Sequence, residues 1–398
     1  MMIKTKIELR IDRAMYSTND GQLLMIIHFT TVHPRDDSRI CSKEVASLAQ
    51  VFNDVQFYVQ DGLGDEIDPQ HEYRIIDTGP RLPRVKRMVV GGWRMFRAVW
   101  KARPHVAHFH DPELLPWAIL LRLRGIKIVY DVHEDMPKQV KHNPGLPRWA
   151  QRTLPPFVAF AEWVAGLIFD GFAVPTQTIA DRFPQKKTVL VRNFPILQEL
   201  HRPNAAPMAA RPAHFAYVGY ISEVRNIYGM VQAVSKLEDP TARLRLVGSF
   251  AIQETENRAK AMPEWAGSVV FEGWASREEV GTILGDVRGG LVVLKPVEHE
   301  MLTLPIKLFE YMAAGLPVVS SDFPLWRAIV DDAKCGILVD PLDPAAIAAG
   351  MQWLLDHPDE AADMGKLGRT AVENKYNWAP EAERLTNFYR HDLGMIQI

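Results

Sequence analysis

The sequence predicts an α/β fold built as two successive units, each with an open parallel sheet covered by helices. Short β-branched runs alternate with helical patterns in the first half, and the same alternation begins again in the second half. Between the halves lies a Pro- and Ala-rich segment without periodicity, residues 201–214, which is typical of a linker. A length of 398 residues also exceeds the usual size of one hydrophobic core. We therefore predict one domain over 1–203, a second over 204–377, and a C-terminal helix over 378–398 that packs back toward the first.

Each predicted element follows from a local pattern, because buried apolar runs favour strands and a 3.6-residue period favours helices. In the first half we expect strands at 23–31, 55–60, 73–78, 106–110, 126–133 and 188–194, and helices at 40–52 and 117–125. In the second half we expect strands at 214–220, 242–249, 268–274, 290–297, 317–322 and 336–340, and helices at 227–237 and 307–315. Two such sheets are expected to face each other across a cleft, with ligands near the carboxyl ends of the strands.

Composition narrows the classes of function. The chain has 46 basic and 48 acidic residues, a net charge of −2, so no nucleic-acid partner is expected. Its two cysteines, Cys41 and Cys335, are far apart and have no His or Cys at metal-ligand spacing, which indicates neither a disulfide framework nor a zinc site. The first 15 residues lack an apolar signal core, and no run of about 18 apolar residues follows. We therefore expect a cytoplasmic protein, with a buried or interface-lying helix over its most apolar stretch, 157–169.

Two histidine-containing turns follow neighbouring strands of the first half. One contains His110 and Asp111, after the strand at 106–110, and the other contains His133, after the strand at 126–133. Both are expected at the carboxyl edge of the sheet, where an imidazole can donate to ligand hydroxyls and a carboxylate can accept from them. For His110 and Asp111 a purely structural role at the sheet edge is an equal alternative. For His133 we favour a functional role.

The turn GYISEVRN, residues 219–226, predicts an anion site in the second half. Gly219 makes a turn after a strand, and Arg225 stands near the start of the next helix. A helix N-terminus and a guanidinium together suit a diphosphate. Taken alone the signal is weak, because glycine turns followed by a basic residue are common and often only solvated.

The segment LTLPIKLFEYMAAGLPVVSSD, residues 302–322, is more informative. Pro305 suits the first turn of a helix, Lys307 lies within that turn, and Glu310 lies one turn further on the same face. A lysine at the positive end of a helix is unfavourable unless an anion or Glu310 offsets its charge. This conflict with good helix design favours a functional site, and the alternative is a surface ion pair between Lys307 and Glu310.

Seven motifs occur in a characteristic order along the chain. They are HPRDDSRICSKEVASLA (33–49), HFHDPELLP (108–116), YDVHEDMP (130–137), VRNFP (191–195), ISEVRN (221–226), PIKLFEYMAAGLPVVSSDFP (305–324) and YNW (376–378). With these motifs the chain resembles the retaining glycosyltransferases of family 4, the glycosyl transferases group 1, over nearly its whole length. Each motif is modest by itself, whereas their joint order and spacing are specific.

The resemblance implies a GT-B fold, in which two Rossmann-like domains face each other across a cleft and bind the acceptor and the nucleotide-sugar respectively. It implies that His133 contacts the donor sugar near the reacting centre, that Arg225 holds the donor diphosphate, and that Glu310 accepts from the ribose hydroxyls. The family often has a lysine a few residues after this arginine, and the chain has none there. From its position we infer that Lys307 supplies the missing charge.

The chain departs from the family in its paired-glutamate motif. Leu302 stands where the first glutamate is expected, eight residues before Glu310. Recognition of the sugar hydroxyls is therefore expected either to differ in this chain or to come from backbone groups of the segment that follows, Thr303, Leu304, Pro305 and Ile306.

A second departure concerns the glycine-rich loop common in the first domain of the family. Here HPRDDSR, residues 33–39, takes its place, and Asp37 or Ser38 can cap the following helix. Arg39 either reaches a phosphate or is an ordinary first-turn charge.

The expected chemistry needs no cofactor and no metal. Cations and helix N–H groups can stabilise the negative charge that develops on a leaving diphosphate. No carboxylate stands out as the nucleophile that a double displacement would require. The resemblance therefore favours same-face transfer, in which the departing phosphate helps to deprotonate the acceptor, with Asp111 as a fallback base.

The stretch 81–103 has eight Lys or Arg residues interleaved with Trp93, Phe96 and Trp100. Its helical part is expected either to lie on an anionic membrane or bind a lipid-diphosphate acceptor, or to be a solvated cationic face over a buried aromatic stripe. The expected partners are therefore a UDP- or GDP-sugar, a glycan or lipid-linked acceptor of bacterial surface polysaccharide synthesis and, through 81–103, the inner face of the plasma membrane.

Two other functions stay open on sequence alone. A sugar-nucleotide epimerase or hydrolase with the GT-B fold would process the donor without any acceptor. A catalytically inactive GT-B module would act only as a binding subunit of an assembly. The absent first glutamate favours the inactive module, whereas the presence of His133, Arg225 and Glu310 argues against it.

Overall fold

The chain folds into two α/β units, each built on its own sheet. The computed structural model describes residues 24–141, 146–200 and 202–395. Unit 1 comprises the residues up to Asn193 together with those from Ala379 onward, and unit 2 runs from Phe194 to Trp378. The N-terminal segment expected to lack a signal core lies outside the described residues.

Unit 1 contains an eight-stranded sheet in the order β3-β4-β2-β1-β5-β6-β7-β8. All pairs are parallel except β3 with β4. The central strands are buried on both faces, as their apolar runs predict. The strands are β1 (Met25–Phe29), β2 (Asp54–Val59), β3 (Glu66–Ile67), β4 (Arg74–Asp77), β5 (Val106–Phe109), β6 (Lys127–Asp131), β7 (Gly171–Val174) and β8 (Thr188–Leu190).

The helices of unit 1 connect these strands. The α-helices are Ala46–Ala49, Arg84–Lys86, Gly92–Ala102, Leu115–Leu123, Met136–Lys141, Arg148–Ile168, Gln177–Ala180 and Trp378–Asn387, the last of which begins at the final residue of unit 2. Wider π-helical turns occur at Ile40–Val45, Arg87–Gly91 and Phe388–Asp392, and 3-10 turns at Pro112–Leu114 and Gln185–Lys187.

Unit 2 contains a six-stranded parallel sheet in the order β11-β10-β9-β12-β13-β14. Its strands are β9 (His214–Val218), β10 (Arg243–Val247), β11 (Val269–Gly273), β12 (Gly289–Val292), β13 (Val318–Ser321) and β14 (Gly336–Val339). Its helices are Leu197–Leu200, Ile227–Val234, Gln253–Lys260, Trp265–Ser268, Arg277–Gly285, Glu298–Met301, Ile306–Ala313, Pro324–Ala333, Pro344–Asp356 and Pro358–Asn374, with a 3-10 turn at Met208–Ala210. The prediction of two parallel-sheet, Rossmann-like units is confirmed.

The units divide ten residues before the predicted position. The division lies at Asn193/Phe194, because the ring of Phe194 packs edge-on against Phe309, with the ring centroids 4.9 Å apart. Leu200 is buried in the same core. The Pro- and Ala-rich segment, described from residue 202, is therefore part of unit 2, and its Met208 is buried in the core of that unit.

The C-terminal residues pack on unit 1. After the helix Trp378–Asn387, Tyr389 is fully buried and its hydroxyl lies 2.7 Å from His108 Nδ1. Phe388 packs against β7, where a Cβ at Gly171 would lie 2.4 Å from its Cζ. Strand β7 was not predicted, because its sequence GFAV is only four residues long and contains one β-branched residue.

The apolar stretch 157–169 forms the second half of the helix Arg148–Ile168. This helix is buried along one face at Ala150, Glu162 and Ala165, and exposes large apolar side chains along the other. Among the described residues, no helix combines the length and the apolar character needed to cross a membrane.

We predict that Gly171→Ala destabilises unit 1, because the added methyl group would overlap Phe388. Overpacking a buried site costs about 1–3 kcal/mol of unfolding free energy. The urea midpoint followed by tryptophan fluorescence should fall accordingly. Gly267→Ala is the matched control, since a Cβ there meets no atom within 4 Å. Equal midpoints for the two variants would contradict the packing of the C-terminal segment against β7.

Candidate functional site

Polar side chains gather at the carboxyl edge of the unit 1 sheet, where β1, β5 and β6 end side by side. Neighbouring parallel strands place the residues that follow them at one edge. Thr30 and Thr31 follow β1, His110 and Asp111 follow β5, and Asp131 is the last residue of β6. The structure therefore brings the two predicted histidine turns together.

Asp131 is the centre of this group and is fully buried. Its Oδ1 accepts from Arg39 Nη2 at 2.8 Å, and its Oδ2 accepts from His110 Nδ1 at 3.1 Å. His133 Nε2 lies 2.9 Å from the same Oδ2. Burial alone would raise the pKa of Asp131, but the charges of Arg39 and His133 lower it well below its ordinary value. Asp131 is therefore a carboxylate that fixes three neighbours.

His133 is the partly exposed member of this group, with 21% of its side chain accessible. Its ring stacks on His33, with the centroids 4.9 Å apart. His33 Nδ1 in turn donates to Asp37 Oδ2 at 2.9 Å. Burial alone would lower the pKa of His33, but the hydrogen bond to Asp37 and the charge of Asp111 raise it. His133 is thus oriented from two sides while its ring stays accessible to a ligand.

Asp111 is buried, and its contacts favour the structural alternative. Its Oδ2 accepts from the Thr30 hydroxyl at 2.8 Å and from the backbone amides of Thr31 and Val32 at 2.5 and 3.2 Å. These bonds hold the turn that follows β1. A carboxylate occupied in this way is poorly placed to act as a base, and the His110 side chain is likewise completely buried.

Arg39 differs from both predicted alternatives. It is neither a phosphate ligand at the surface nor a solvated first-turn charge, because it is buried and its guanidinium pairs with Asp131. Its Nη1 also donates to the Val191 carbonyl at 3.2 Å. The side chain therefore ties the segment after β1 to the ends of β6 and β8.

A second buried polar layer lies beside this edge and contains His28, His108, Tyr389 and Glu44. Tyr389 joins the two histidines, since its hydroxyl lies 2.7 Å from His108 Nδ1 and 3.3 Å from His28 Nε2. Burial lowers the pKa of both His28 and His108, so both rings are neutral. Burial also raises the pKa of Glu44, and the charge of the nearby Asp131 adds to that shift.

In unit 2, Gly219 and Lys307 form a closely fitted pair. Gly219 follows β9 with φ +122°, and a Cβ at this position would lie 2.8 Å from Lys307 Cε. The Lys307 ammonium stands 5.1 Å above the ring of Tyr217. Burial lowers the pKa of Lys307 to about 8, and the charge of Arg225 contributes to the shift. The predicted glycine turn thus makes room for the predicted lysine.

Arg225 carries the second cation of this region. Its Nη1 donates to Glu300 Oε2 at 3.1 Å, and 30% of its side chain is accessible. The pKa of Lys307 shows that the Arg225 charge acts on it. The helix Ile306–Ala313 begins at Pro305, and among the described residues no side chain caps this start. Two cations and a free helix N-terminus therefore lie in one region of unit 2.

Glu310 does not form the surface ion pair with Lys307 that the sequence left open. Its Oε1 accepts instead from Arg277 Nη1 at 2.7 Å. Arg277 begins the helix Arg277–Gly285 and also pairs with Glu199 at 2.8 Å. Arg277 was not predicted as a site residue, because it lies outside the motifs and no local pattern distinguishes it from a solvated first-turn charge.

The segment before the helix Ile306–Ala313 is anchored rather than loose. Trp326, which is fully buried, donates from its indole Nε1 to the Thr303 carbonyl at 2.9 Å. Leu304 is half-buried, while Leu302 is 49% exposed. The backbone that was expected to take over sugar recognition is therefore held in place, and the Leu302 side chain contributes little to the core.

Two family models match the chain, one in each unit. The model described as glycosyl transferase 4-like domain matches residues 54–193, and the model described as glycosyl transferases group 1 matches residues 212–357. The first match ends at the last residue of the main segment of unit 1, and the second lies within unit 2.

Several relatives share part of the sequence. The D-rhamnosyltransferase WbpZ of Pseudomonas aeruginosa is 25% identical over 156 residues, which are 39% of this chain and 39% of the relative. The putative colanic acid biosynthesis glycosyltransferase WcaL of Escherichia coli is 29% identical over 187 residues, 44% of each chain. The chain thus spans less than half the length of these relatives.

Solved structures match the chain over most of its length. The sucrose-phosphate synthase of Thermosynechococcus elongatus superposes with a TM-score of 0.71 and 20% identity, covering 92% of this chain and 98% of that one. Alr3699/HepE of Anabaena, solved with UDP-glucose, gives a TM-score of 0.71 and 10% identity, covering 92% and 99%. Similarity at these identities concerns the fold. The chain therefore has the GT-B fold, and its two units contain the matches to the glycosyl transferase 4-like model and to the glycosyl transferases group 1 model respectively.

Proposed function

We propose that this protein is a retaining, metal-independent glycosyltransferase that moves a sugar from a UDP- or GDP-sugar to a glycan or lipid-linked acceptor. The observation that carries the proposal is the pairing of Lys307 and Arg225 beside an uncapped helix start in the matched group 1 domain. One relative, the putative colanic acid biosynthesis glycosyltransferase WcaL, supports bacterial surface polysaccharide assembly as the setting.

The donor diphosphate is proposed to bind between the two cations and the start of the helix Ile306–Ala313. Burial is the main cause of the lowered pKa of Lys307, and the like charge of Arg225 lowers it further. A diphosphate removes this repulsion and accepts hydrogen bonds from the first-turn amides. The same groups then stabilise the charge that develops on the leaving group, and they need no reorganisation to do so.

Glu310 is proposed to accept from the ribose hydroxyls. Its carboxylate has two oxygens, and Arg277 uses Oε1. Arg277 therefore fixes the direction of the carboxylate. The backbone at Leu304, Pro305 and Ile306, held through Thr303 by Trp326, is proposed to contact the donor sugar in place of a first glutamate.

His133 is proposed to contact the donor sugar from unit 1. Asp131 and His33 fix its ring, and its partial exposure leaves it accessible. Asp111 is committed to the turn after β1, so we no longer propose it as the base. We propose instead same-face transfer, in which the departing phosphate helps to deprotonate the acceptor.

The acceptor side is proposed to involve the segment 81–103 and the inner face of the plasma membrane. Phe96 is buried, as the aromatic-stripe alternative expects, whereas Val85 and Trp93 are 76% and 46% exposed. Arg87 pairs with Glu113 at 2.8 Å, so this arginine also has a structural role. The segment therefore combines a buried aromatic face with an exposed basic and apolar one.

A screen of UDP- and GDP-sugars for thermal stabilisation tests the proposal directly, because a ligand that binds only the folded state raises the unfolding midpoint. The stabilising donor is then incubated with the protein without an acceptor. Release of an epimer or of stoichiometric free sugar would favour an epimerase or hydrolase. Failure of every donor to bind would favour an inactive module and contradict the proposal.

We predict that donor affinity decreases as the pH rises through about 8. Below this pH the Lys307 amine is charged and pairs with the diphosphate, whereas above it binding must first protonate the amine. Calorimetry should show a loss of up to about tenfold per pH unit. Lys307→Arg, which stays charged, should remove this dependence, and Lys236→Arg, on an exposed side chain away from the site, should retain it. A pH-independent affinity in the unmodified protein would contradict a role for Lys307.

We predict that His133→Ala lowers the transfer rate by about a hundredfold or more, since a positioned group at the reacting centre contributes at least this much. Binding of the free nucleoside diphosphate, measured by calorimetry, should not change. His71→Ala is the control, because His71 is a half-buried histidine of the same unit that pairs with the loop residue Asp68 and stacks on Tyr73. Near-normal turnover in His133→Ala would remove this residue from the site.

A further inference from the structure

We propose that unit 1 holds a divalent first-row transition-metal ion, with Zn²⁺ the first candidate, among His28, Glu44, His108 and His110. Each side chain offers one ligand atom, and these atoms lie within 4.8 Å of one another. All four residues are buried, with accessibilities between 0% and 2%. Three imidazoles and a carboxylate are a ligand set that Zn²⁺ accepts in four-coordinate sites.

The directions of the imidazole nitrogens support this site. His28 Nδ1 and His110 Nε2 face each other at 3.1 Å, close to the edge of about 3.3 Å that a tetrahedron with bonds of 2.0–2.1 Å has. His108 Nε2 has no hydrogen-bond partner among the described residues. Among the described residues, three imidazole nitrogens therefore make no hydrogen bond outside this group of side chains. They are His28 Nδ1, His108 Nε2 and His110 Nε2, and they lie around one region.

The opposite nitrogens are anchored as those of metal ligands usually are. His110 Nδ1 donates to Asp131 Oδ2 at 3.1 Å, while His108 Nδ1 and His28 Nε2 both meet the Tyr389 hydroxyl. A carboxylate or hydroxyl on the outer nitrogen fixes the ring and its tautomer in metal sites. A shift of the His28 proton to Nε2 would free its Nδ1 for the ion.

Glu44 supplies the fourth ligand. Hydrogen bonding between the described residues does not account for its buried carboxyl group. Neither carboxylate oxygen has a hydrogen-bond partner among the described residues, although Arg39 Nε lies 3.1 Å from Oε1. A buried carboxylate without hydrogen bonds is costly, and a cation would satisfy it. The ion would have a structural role, because its four ligands are closed to solvent. This departs from the expectation of no metal, and it leaves the proposed donor chemistry unchanged.

Metal analysis of untagged protein tests this site without any donor or acceptor. After overnight dialysis we expect close to one Zn²⁺ per chain, and we expect Co²⁺ reconstitution to give the intense visible absorption of a four-coordinate ion. Glu44→Gln and His108→Asn should each lose the ion and the absorption, whereas His214→Asn, on β9 of unit 2, should keep both. Circular dichroism shows whether each variant is folded.

The result that overturns the site is a folded, unmodified protein that retains no Zn²⁺ and develops no Co²⁺ absorption. Equal metal content in Glu44→Gln and His214→Asn would place any bound ion elsewhere and would also overturn it. Because these readouts use no nucleotide-sugar, they are independent of the outcome of the donor screen.

A different observation carries a second proposal. The helix Arg148–Ile168 exposes a stripe of large apolar side chains on the face opposite its buried residues, and we name it the apolar stripe. Its members repeat at three-, four- and seven-residue spacing and are 60–70% exposed: Trp149, Phe157, Phe160, Trp163 and Leu167. From Trp149 to Leu167 the stripe is about 27 Å long. Monomeric proteins rarely expose an apolar surface of this extent without a partner.

The surroundings of the stripe are basic. The helices Gly92–Ala102, Leu115–Leu123 and Arg148–Ile168 make successive crossovers from β4 to β7 in one direction along the sheet, so they lie on the same face of it. Glu162 is the one acidic residue in these three helices, and it is buried against Arg182. Their exposed charges are all basic: Arg94, Arg97, Lys101, Arg148 and Arg152.

We infer that this face binds an anionic lipid surface, with the apolar stripe inserted among the headgroups. Exposed aromatic and leucine side chains flanked only by basic charges match such a surface, whereas a protein partner would have to bury five large apolar groups among uncompensated cations. The inference adds the helix Arg148–Ile168 to the segment 81–103 and makes it the principal contact.

Cosedimentation with vesicles tests this surface. Binding to phosphatidylcholine vesicles containing about one-third phosphatidylglycerol should exceed binding to pure phosphatidylcholine, and it should weaken with salt. The double variant F160S/W163S should lose at least about tenfold in affinity. The double variant L63S/W274S, which removes two side chains that are 72% and 73% exposed elsewhere, should bind like the unmodified protein.

Three results would overturn the inference. They are absence of binding to anionic vesicles at low salt, equal affinities of the two double variants, and a dimer in light scattering that F160S/W163S abolishes. The last result would identify a second copy of the chain as the occupant of the stripe.

Discussion

The carboxyl edge of the unit 1 sheet depends on one buried carboxylate, Asp131. A lone buried charge of this kind would be strongly unfavourable, and the guanidinium of Arg39 compensates it directly. The pair joins the segment after β1 to the end of β6, and it leaves Asp131 ionised to hold His110 and His133. The partly exposed His133 ring is therefore held in a fixed position, because the Asp131 carboxylate that orients it is itself buried and fixed. Removing either partner would leave the other buried without its closest opposite charge.

In unit 2, by contrast, two like charges lie in one region. Burial lowers the pKa of Lys307 and the charge of Arg225 adds to this shift, while Gly219 leaves the room that the lysine side chain occupies. Glu300 compensates Arg225 from one side only. This positive region is the proposed binding place of the donor diphosphate. In unit 1 the ion-paired Asp131 orients His133. In unit 2 the cations Lys307 and Arg225 are proposed to bind the donor diphosphate.

The fold, and the candidate site residues that belong to a recognisable motif, could be predicted from the sequence. Parallel strands buried on both faces produce continuous apolar runs, so the strand pattern and the two-unit architecture could be predicted. Pairings between residues that are distant in sequence could not be predicted. Arg39 was expected to reach a phosphate or to be an ordinary first-turn charge, and it is buried against Asp131. Glu310 pairs with Arg277 rather than Lys307, and Phe194 packs in unit 2, so the units divide earlier than predicted. In each case the partner is distant in sequence, and no local pattern identifies it.

The hydrogen bond between Tyr389 and His108 joins residues that are 281 positions apart, with the whole of unit 2 between them. During synthesis the strands of unit 1 emerge before unit 2, while the segment that completes their core emerges only after it. The histidine layer of unit 1 therefore cannot close until unit 2 has been made. Loss of residues 388–395 would then affect the assembly of unit 1 rather than that of unit 2, to which those residues are adjacent in sequence.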